Sequence, residues 1–122
     1  MYRIAIASTD GIVVNQHFGR ADRFHIVEIT PETGKYNFLE SRAVLPFCHG
    51  GEHDDNAFDT ILETLNDVQA ILVSKIGDGA SDYLEQKGII VYQAPFPIVA
   101  LLEKIIQEKL WEKGNWQSYN NN

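Results

Sequence analysis

Hydrophobic and polar positions along the chain follow two different periods. Short, almost wholly apolar runs at residues 2–8, 70–74 and 89–94 are typical of strands that are buried on both faces of a sheet. In the first run, small alanines replace bulky side chains on one side. Residues 24–29 and 36–45 flank a turn that contains proline and glycine, and they predict a β-hairpin.

Apolar residues at helical spacing predict three helices. The first is expected to begin near Asp54 and Asp55, whose negative charges suit a helix N-terminus. The second covers residues 78–88 and stops at Gly88, and the third begins with Pro97 as its first helical residue. The apolar positions of these helices are Phe58, Ile61, Leu62, Leu65 and Val68; Ala80, Tyr83 and Leu84; and Ile98, Leu101, Leu102, Ile105 and Ile106.

This order of elements predicts one α/β domain, in which a mixed sheet is flanked by helices. The domain is expected to cover residues 1–110, and residues 111–122 are expected to form a polar tail. A strand–helix–strand unit should be parallel and right-handed. Because ligands of open α/β sheets bind beyond the carboxyl ends of the strands, the loops that begin at Ser8 and Ser74 are the expected position of a site.

Charge and composition restrict the classes of partner. The chain has 122 residues and a net charge of −7, which argues against nucleic acid and anionic membranes as partners. No apolar run approaches about 18 residues, and no secretory signal opens the chain, so a cytoplasmic protein is expected. Its single cysteine, Cys48, cannot form an intrachain disulfide. We expect a monomer or a weak homo-oligomer.

Two segments contain candidate metal ligands. His17 lies in a polar loop, where neutral imidazole could bind iron or a borderline metal; the alternative is a histidine whose ring nitrogens are satisfied by local backbone groups. The segment PFCHGGEHDD holds Cys48, His49 and His53, a ligand set that suits zinc or the edge of an iron–sulfur cluster. A four-ligand zinc site would need His17 or His25 as well. The alternative is a solvated loop before a helix.

A third segment, SKIGDGA at residues 74–80, joins a strand end to a helix start. Gly77 and Gly79 permit close approach to the backbone, and the amides that open a helix favour anions. The pattern is neither a dinucleotide-binding fingerprint nor a phosphate-binding P-loop, so nucleotide binding is not expected.

A metal-dependent nuclease is a further alternative. Asp10 follows the first strand, where a nuclease of the ribonuclease H type would place a metal-binding aspartate, and Glu28, Asp54 and Asp55 are the other available carboxylates. They form no clear matching set, and the negative net charge opposes a nucleic-acid substrate. Asp10 is instead expected to be a turn residue.

Two motifs resemble those of the dinitrogenase iron–molybdenum cofactor biosynthesis family, and CHGG lies between them. They are HFGxAxxF (His17, Phe18, Gly19, Ala21, Phe24) and SxIGxGA (Ser74, Ile76, Gly77, Gly79, Ala80). The resemblance covers roughly residues 2–108. It implies a ribonuclease H-like fold that carries an iron–sulfur or iron–molybdenum cluster, with His17 near or on the cluster.

The resemblance also implies partners that donate and accept the cluster, and no catalysed reaction is required. Ser8, His17, Arg20, Ser74, Gly77 and Gly79 are the expected cofactor-binding residues, and Cys48, His49 and His53 are further candidate metal ligands. Arg20, Arg23 and Lys75 could offset the overall negative charge near an anionic cluster. A metal-free domain that binds a partner or regulates one remains the alternative.

Overall fold

The computed structural model describes residues 1–46, 48–49, 52–53 and 55–112, and it describes only the backbone of residues 48–49, 52–53 and 55–57. The strands are β1 (Tyr2–Ala7), β2 (Arg23–Thr30), β3 (Lys35–Ala43), β4 (Cys48–His49), β5 (Glu52–His53), β6 (Ala70–Val73) and β7 (Ile90–Gln93). The helices are α1 (Asp55–Thr64), α2 (Asp78–Gln86) and α3 (Ile98–Gln107), and Phe18–Arg20 form a 3-10 turn.

A five-stranded mixed sheet in the order β3-β2-β1-β6-β7 forms the centre of the molecule. The first three strands are antiparallel neighbours, whereas β1, β6 and β7 run parallel. The carboxyl ends of the three parallel strands therefore meet at one edge. The predicted ribonuclease H-like α/β class is confirmed, and the hairpin partner β3 ends two residues before the predicted boundary.

Helices cover both faces of this sheet, and β1 shows why. Ala5 and Ala7 pack into the cluster beneath α1 and α2, while Ile4 and Ile6 belong to the cluster beneath α3. The strand is thus buried on both faces, as its apolar run predicted, and its small side chains lie on the face that two helices cover. The buried residues that α3 contributes to this second cluster are Ile98, Leu101, Leu102 and Ile105.

Two helix boundaries differ from the sequence prediction. Pro97 is the residue before α3 rather than its first helical residue. The helix α1 ends at Thr64, although its apolar spacing continues to Val68, because the hydrogen bonds tighten after Leu65 into i→i−3 turns. Leu65 and Val68 still reach the core. The predicted cap residue Asp54 lies outside the described residues.

The end of the described chain packs against its beginning. The ring of Trp111 lies 6.2 Å from the ring of Tyr2, between centroids. Residues 113–122 of the predicted tail lie outside the described residues. Within the described part, none of the helices has the length and apolar character needed to cross a membrane.

Candidate functional site at the carboxyl edge of the parallel strands

The loop after β1 crosses the carboxyl ends of β6 and β7. Four backbone hydrogen bonds hold it there: Val14 N to Phe96 O (3.1 Å), Ile98 N to Ile12 O (2.8 Å), Ser74 N to Gln16 O (3.0 Å) and Phe18 N to Lys75 O (2.9 Å). The two segments that the sequence singled out, around His17 and Ser74, are therefore neighbours. Their proximity follows from parallel pairing of β1 with β6.

The start of this loop is stabilised by its own polar side chains. The buried Ser8 hydroxyl donates to the carbonyl of Val13 (2.7 Å) and accepts from the amide of Gly11 (2.9 Å). The amides of Ile12 and Val13 donate to the Asp10 carboxylate, and they hold the pKa of that carboxyl below its usual value. Asp10 is the turn residue that the sequence predicted, and Ser8 shapes the loop.

His25 lies beneath the same loop, with both ring nitrogens engaged. Its Nε2 is 3.0 Å from the carbonyl oxygen of Ser8, which can only accept, so this nitrogen donates. In the neutral ring, Nδ1 then accepts from the Ser41 hydroxyl at 2.8 Å. His25 therefore supports the loop and is not a free metal ligand.

His17 has a different environment. It is exposed, it precedes the 3-10 turn, and its backbone pairs with that of Lys75. The next residue, Phe18, is fully buried and packs against Phe24 and Phe58 with ring centroids 6.2 and 5.8 Å apart. Among the described residues no hydrogen bond engages the ring of His17. The buried Phe18 therefore fixes the backbone, while the imidazole of His17 stays accessible.

The helix α2 begins at Asp78, three residues beyond Lys75. The residue before the helix, Gly77, has no side chain to cap the opening amides, and a Cβ built on Gly77 or Gly79 would meet none of the described atoms within 4 Å. Neither glycine has a positive φ. The fold itself therefore needs no glycine at these positions, and the backbone remains open to an approaching ligand.

Two glutamines near this edge, Gln16 and Gln93, were not predicted from the sequence. The Oε1 atom of Gln16 is buried without a hydrogen-bond partner in the described part of the chain, as is the hydroxyl of Ser74, which the sequence did single out. Gln93 also contributes, because its Oε1 accepts from the Ile76 amide (3.0 Å) and fixes the turn before α2. One glutamine in a loop and one on a strand carry no pattern that would have marked them.

The segment with the other predicted ligands forms a short hairpin beside His17. The Cα register places Cys48 opposite His53 and His49 opposite Glu52, and Cα atoms of β4 lie within 8 Å of the 3-10 turn. Their side chains lie outside the described part. No group of three histidine, cysteine or acidic side chains suited to a metal ion occurs among those that are described.

Two nuclease candidates, Asp10 and Glu28, lie at different ends of the sheet. Glu28 pairs across the sheet with Arg3 and accepts from its Nε at 2.9 Å, near the start of β1, whereas Asp10 follows the end of that strand. The two carboxylates are separated by most of a six-residue strand, about 20 Å long. They do not converge on a pair of metal ions.

Comparison with known proteins supports the resemblance over almost the whole chain. The profile of the family described as dinitrogenase iron-molybdenum cofactor matches residues 1–108. The FeMo cofactor biosynthesis protein NifB of Frankia alni is 37% identical over 108 residues, and that of Klebsiella pneumoniae is 35% identical over 120 residues. These matches cover 86% and 93% of this chain, but only 20% and 25% of the relatives.

Solved structures share the fold. The crystal structure of PH0822 has a TM-score of 0.64 and 25% identity, and the match covers 86% of this chain and 88% of the other. The NMR structure of TM1290 from Thermotoga has a TM-score of 0.52 at 23% identity, with coverages of 88% and 89%.

Proposed function

Because the chain belongs to the dinitrogenase iron–molybdenum cofactor family, we propose that it carries a metal–sulfur cluster between protein partners. The cargo would be an iron–sulfur or iron–molybdenum cluster, in nitrogenase cofactor biosynthesis or a related pathway. The observation that supports this most is the accessible His17 imidazole, set by backbone pairing beside the open N-terminus of α2. The chain would bind and release its cargo and catalyse no reaction.

Each group at the carboxyl edge of the parallel strands has a role in this proposal. The neutral imidazole of His17 would ligate a metal atom of the cluster. The amides at the start of α2, next to Gly77 and Gly79, would donate to cluster sulfides or to other anionic groups. Arg20 ends the 3-10 turn that follows His17, and the backbone of Lys75 pairs with that of His17; both residues are exposed and would offset the net charge of −7.

The β4–β5 hairpin would supply further ligands. Cys48, His49 and His53 remain the proposed metal ligands of this segment, and its position beside the 3-10 turn brings it to the same edge as His17. Thiolate and imidazole are both suitable ligands for iron.

Anaerobic reconstitution tests the proposal. The purified protein is incubated with iron and sulfide, with and without molybdate, and visible absorbance and metal-to-protein ratio are measured after desalting. We expect a stoichiometric chromophore in the wild type and retention weaker by about tenfold or more in His17→Ala, with thermal stability almost unchanged. His25→Gln is the matched control, because it removes an imidazole that supports the loop; it should lower stability more than retention.

Two results would count against this function. Equal retention by the wild type and His17→Ala would remove His17 from the site. The absence of a chromophore from every mixture, and after incubation with a cluster-loaded donor, would favour a metal-free partner-binding domain. In parallel, Cys48→Ser should lower retention more than thermal stability, and equal losses would assign Cys48 a structural role.

A further inference from the structure

An open cleft lies between α1 and α2, at the end of the sheet opposite His17. Its volume is about 670 Å³, and it adjoins the starts of β6 and β7 through Gln69 and Ile89. Leu62, Val68 and Ile89 give it an apolar floor. Seven of its ten lining residues are exposed, so the cleft is a surface feature rather than an enclosed pocket for a small molecule.

The rim of the cleft is mainly acidic. Asp59 and Glu63 of α1 line one side, and both are exposed. On the other side, the Lys87 ammonium lies 5.3 Å from the centre of the Tyr83 ring, and it is the one basic group in the lining. The Lys87 ammonium thus lies close to the Tyr83 ring of α2, while the carboxylates of Asp59 and Glu63 are exposed to solvent.

The rest of the surface of α1 and α2 is also negatively charged. The described side chains of α1 and α2 through position 88 include five acidic residues and one lysine: Asp59, Glu63, Asp78, Asp82, Glu85 and Lys87. They carry four of the seven net negative charges of the chain. Such a field attracts a positively charged partner and accelerates its association.

We propose that the α1–α2 cleft docks a basic segment of a partner protein, which inserts one large apolar side chain between Leu62, Val68 and Ile89. Lysines or arginines on both sides of that anchor would face Asp59 and Glu63. An apolar centre within a charged rim is the usual arrangement of a protein interface. Docking here leaves the edge around His17 open, which suits a partner that delivers or receives a cluster; that last step rests on the proposed function.

The test uses the cargo-free protein, so its result is independent of cluster binding. The probe is a synthetic peptide with a central leucine flanked by lysines, titrated into the isotope-labelled protein at low and high salt while amide chemical shifts are recorded. We expect shifts concentrated at residues 59–69 and 83–89, and weaker binding at high salt. Replacement of the central leucine of the peptide by glycine should abolish these shifts.

Two double variants with the same change of charge distinguish specific docking in the cleft from non-specific attraction of the basic peptide to the acidic surface. Asp59→Lys with Glu63→Lys should weaken binding by about tenfold or more, because these residues line the cleft. Asp82→Lys with Glu85→Lys changes exposed residues of α2 outside the lining and should weaken it by about twofold at most. Thermal unfolding confirms that both variants are folded.

Three outcomes would overturn the proposal. Equal losses in the two double variants would show attraction to an acidic surface without a docking site. Shifts centred elsewhere, or no shifts, would place no partner in the cleft. A dimer of the free protein that dissociates in the Asp59→Lys, Glu63→Lys variant would assign the cleft to a second copy of this chain.

Discussion

At the scale of single residues, a substitution of Gly79 should affect the stability of the fold and the binding of a ligand in opposite directions. It is the second residue of α2, where alanine would favour the helix by about 0.5–1 kcal/mol. In the part of the chain that the structure describes, no atom lies within 4 Å of a Cβ at this position. We expect Gly79→Ala to raise the midpoint of thermal unfolding slightly and to lower cluster retention, because the methyl group enters the space beside the open amides.

Gly88 provides the control for that substitution. Its surroundings are equally open, but its φ is +85°, a left-handed conformation that ends α2. Gly88→Ala should therefore lower stability by about 1 kcal/mol without an effect on cluster retention per folded molecule. If Gly79→Ala also destabilises the protein, or if it retains the cluster normally, the assignment of Gly79 to the site is wrong.

At the scale of elements, Arg42 connects β3 to the end of α1. Its Nη1 donates to the Thr64 carbonyl at 2.8 Å, and its guanidinium binds both carboxylate oxygens of Asp67 at 2.6 and 2.9 Å. These contacts satisfy an orphan carbonyl at a helix C-terminus and fix the turn that leads into β6.

We expect Arg42→Met to lower the free energy of unfolding by about 2 kcal/mol, since it removes both hydrogen bonds from Arg42 to the partly buried Asp67 carboxylate, which keeps only its pair with Arg3, and the hydrogen bond to the Thr64 carbonyl. The measurement is the urea midpoint at neutral pH. Arg23→Met is the control: its side chain is 52% exposed and lies 3.7 Å from Asp22, so it should change stability by less than about 0.5 kcal/mol. Similar losses in both variants would contradict the role of Arg42.

Secondary-structure elements could be predicted from this sequence, whereas contacts between distant residues could not. Period and turn residues located every strand of the main sheet and all three helices, because these signals are local. Ser8 and Ser74 could be placed at one edge because parallel strands end together. The backbone pairing of His17 with Lys75 and the ion pair of Arg42 with Asp67 join residues that are 58 and 25 positions apart, and contacts over such distances leave no periodic signal in the sequence.

At the scale of the whole molecule, an ion cluster fastens the end of the sheet remote from His17. Arg3 binds Glu28 at 2.9 Å and Asp67 at 2.8 Å, and Asp67 also binds Arg42. The hydrogen bonds and the charge of Arg42, with smaller contributions from the backbone amide of Asp67 itself and from Arg3, lower the pKa of Asp67 to about 2. The unfolded chain should titrate this carboxyl near the ordinary value of about 3.9.

The sign of the resulting pH dependence follows from this depressed pKa. Asp67 contributes its full stabilisation above about pH 4 and loses it as the pH falls toward 2. The side chain is 31% exposed, so solvent screening reduces the contribution to about 1–2 kcal/mol. We expect the difference in unfolding free energy between the wild type and Asp67→Asn, from urea titrations at pH 7, 5, 4, 3 and 2, to be constant above pH 5 and to shrink by this amount below pH 4. A difference that stays constant down to pH 2 would show that the ion cluster does not couple protonation to the folded sheet.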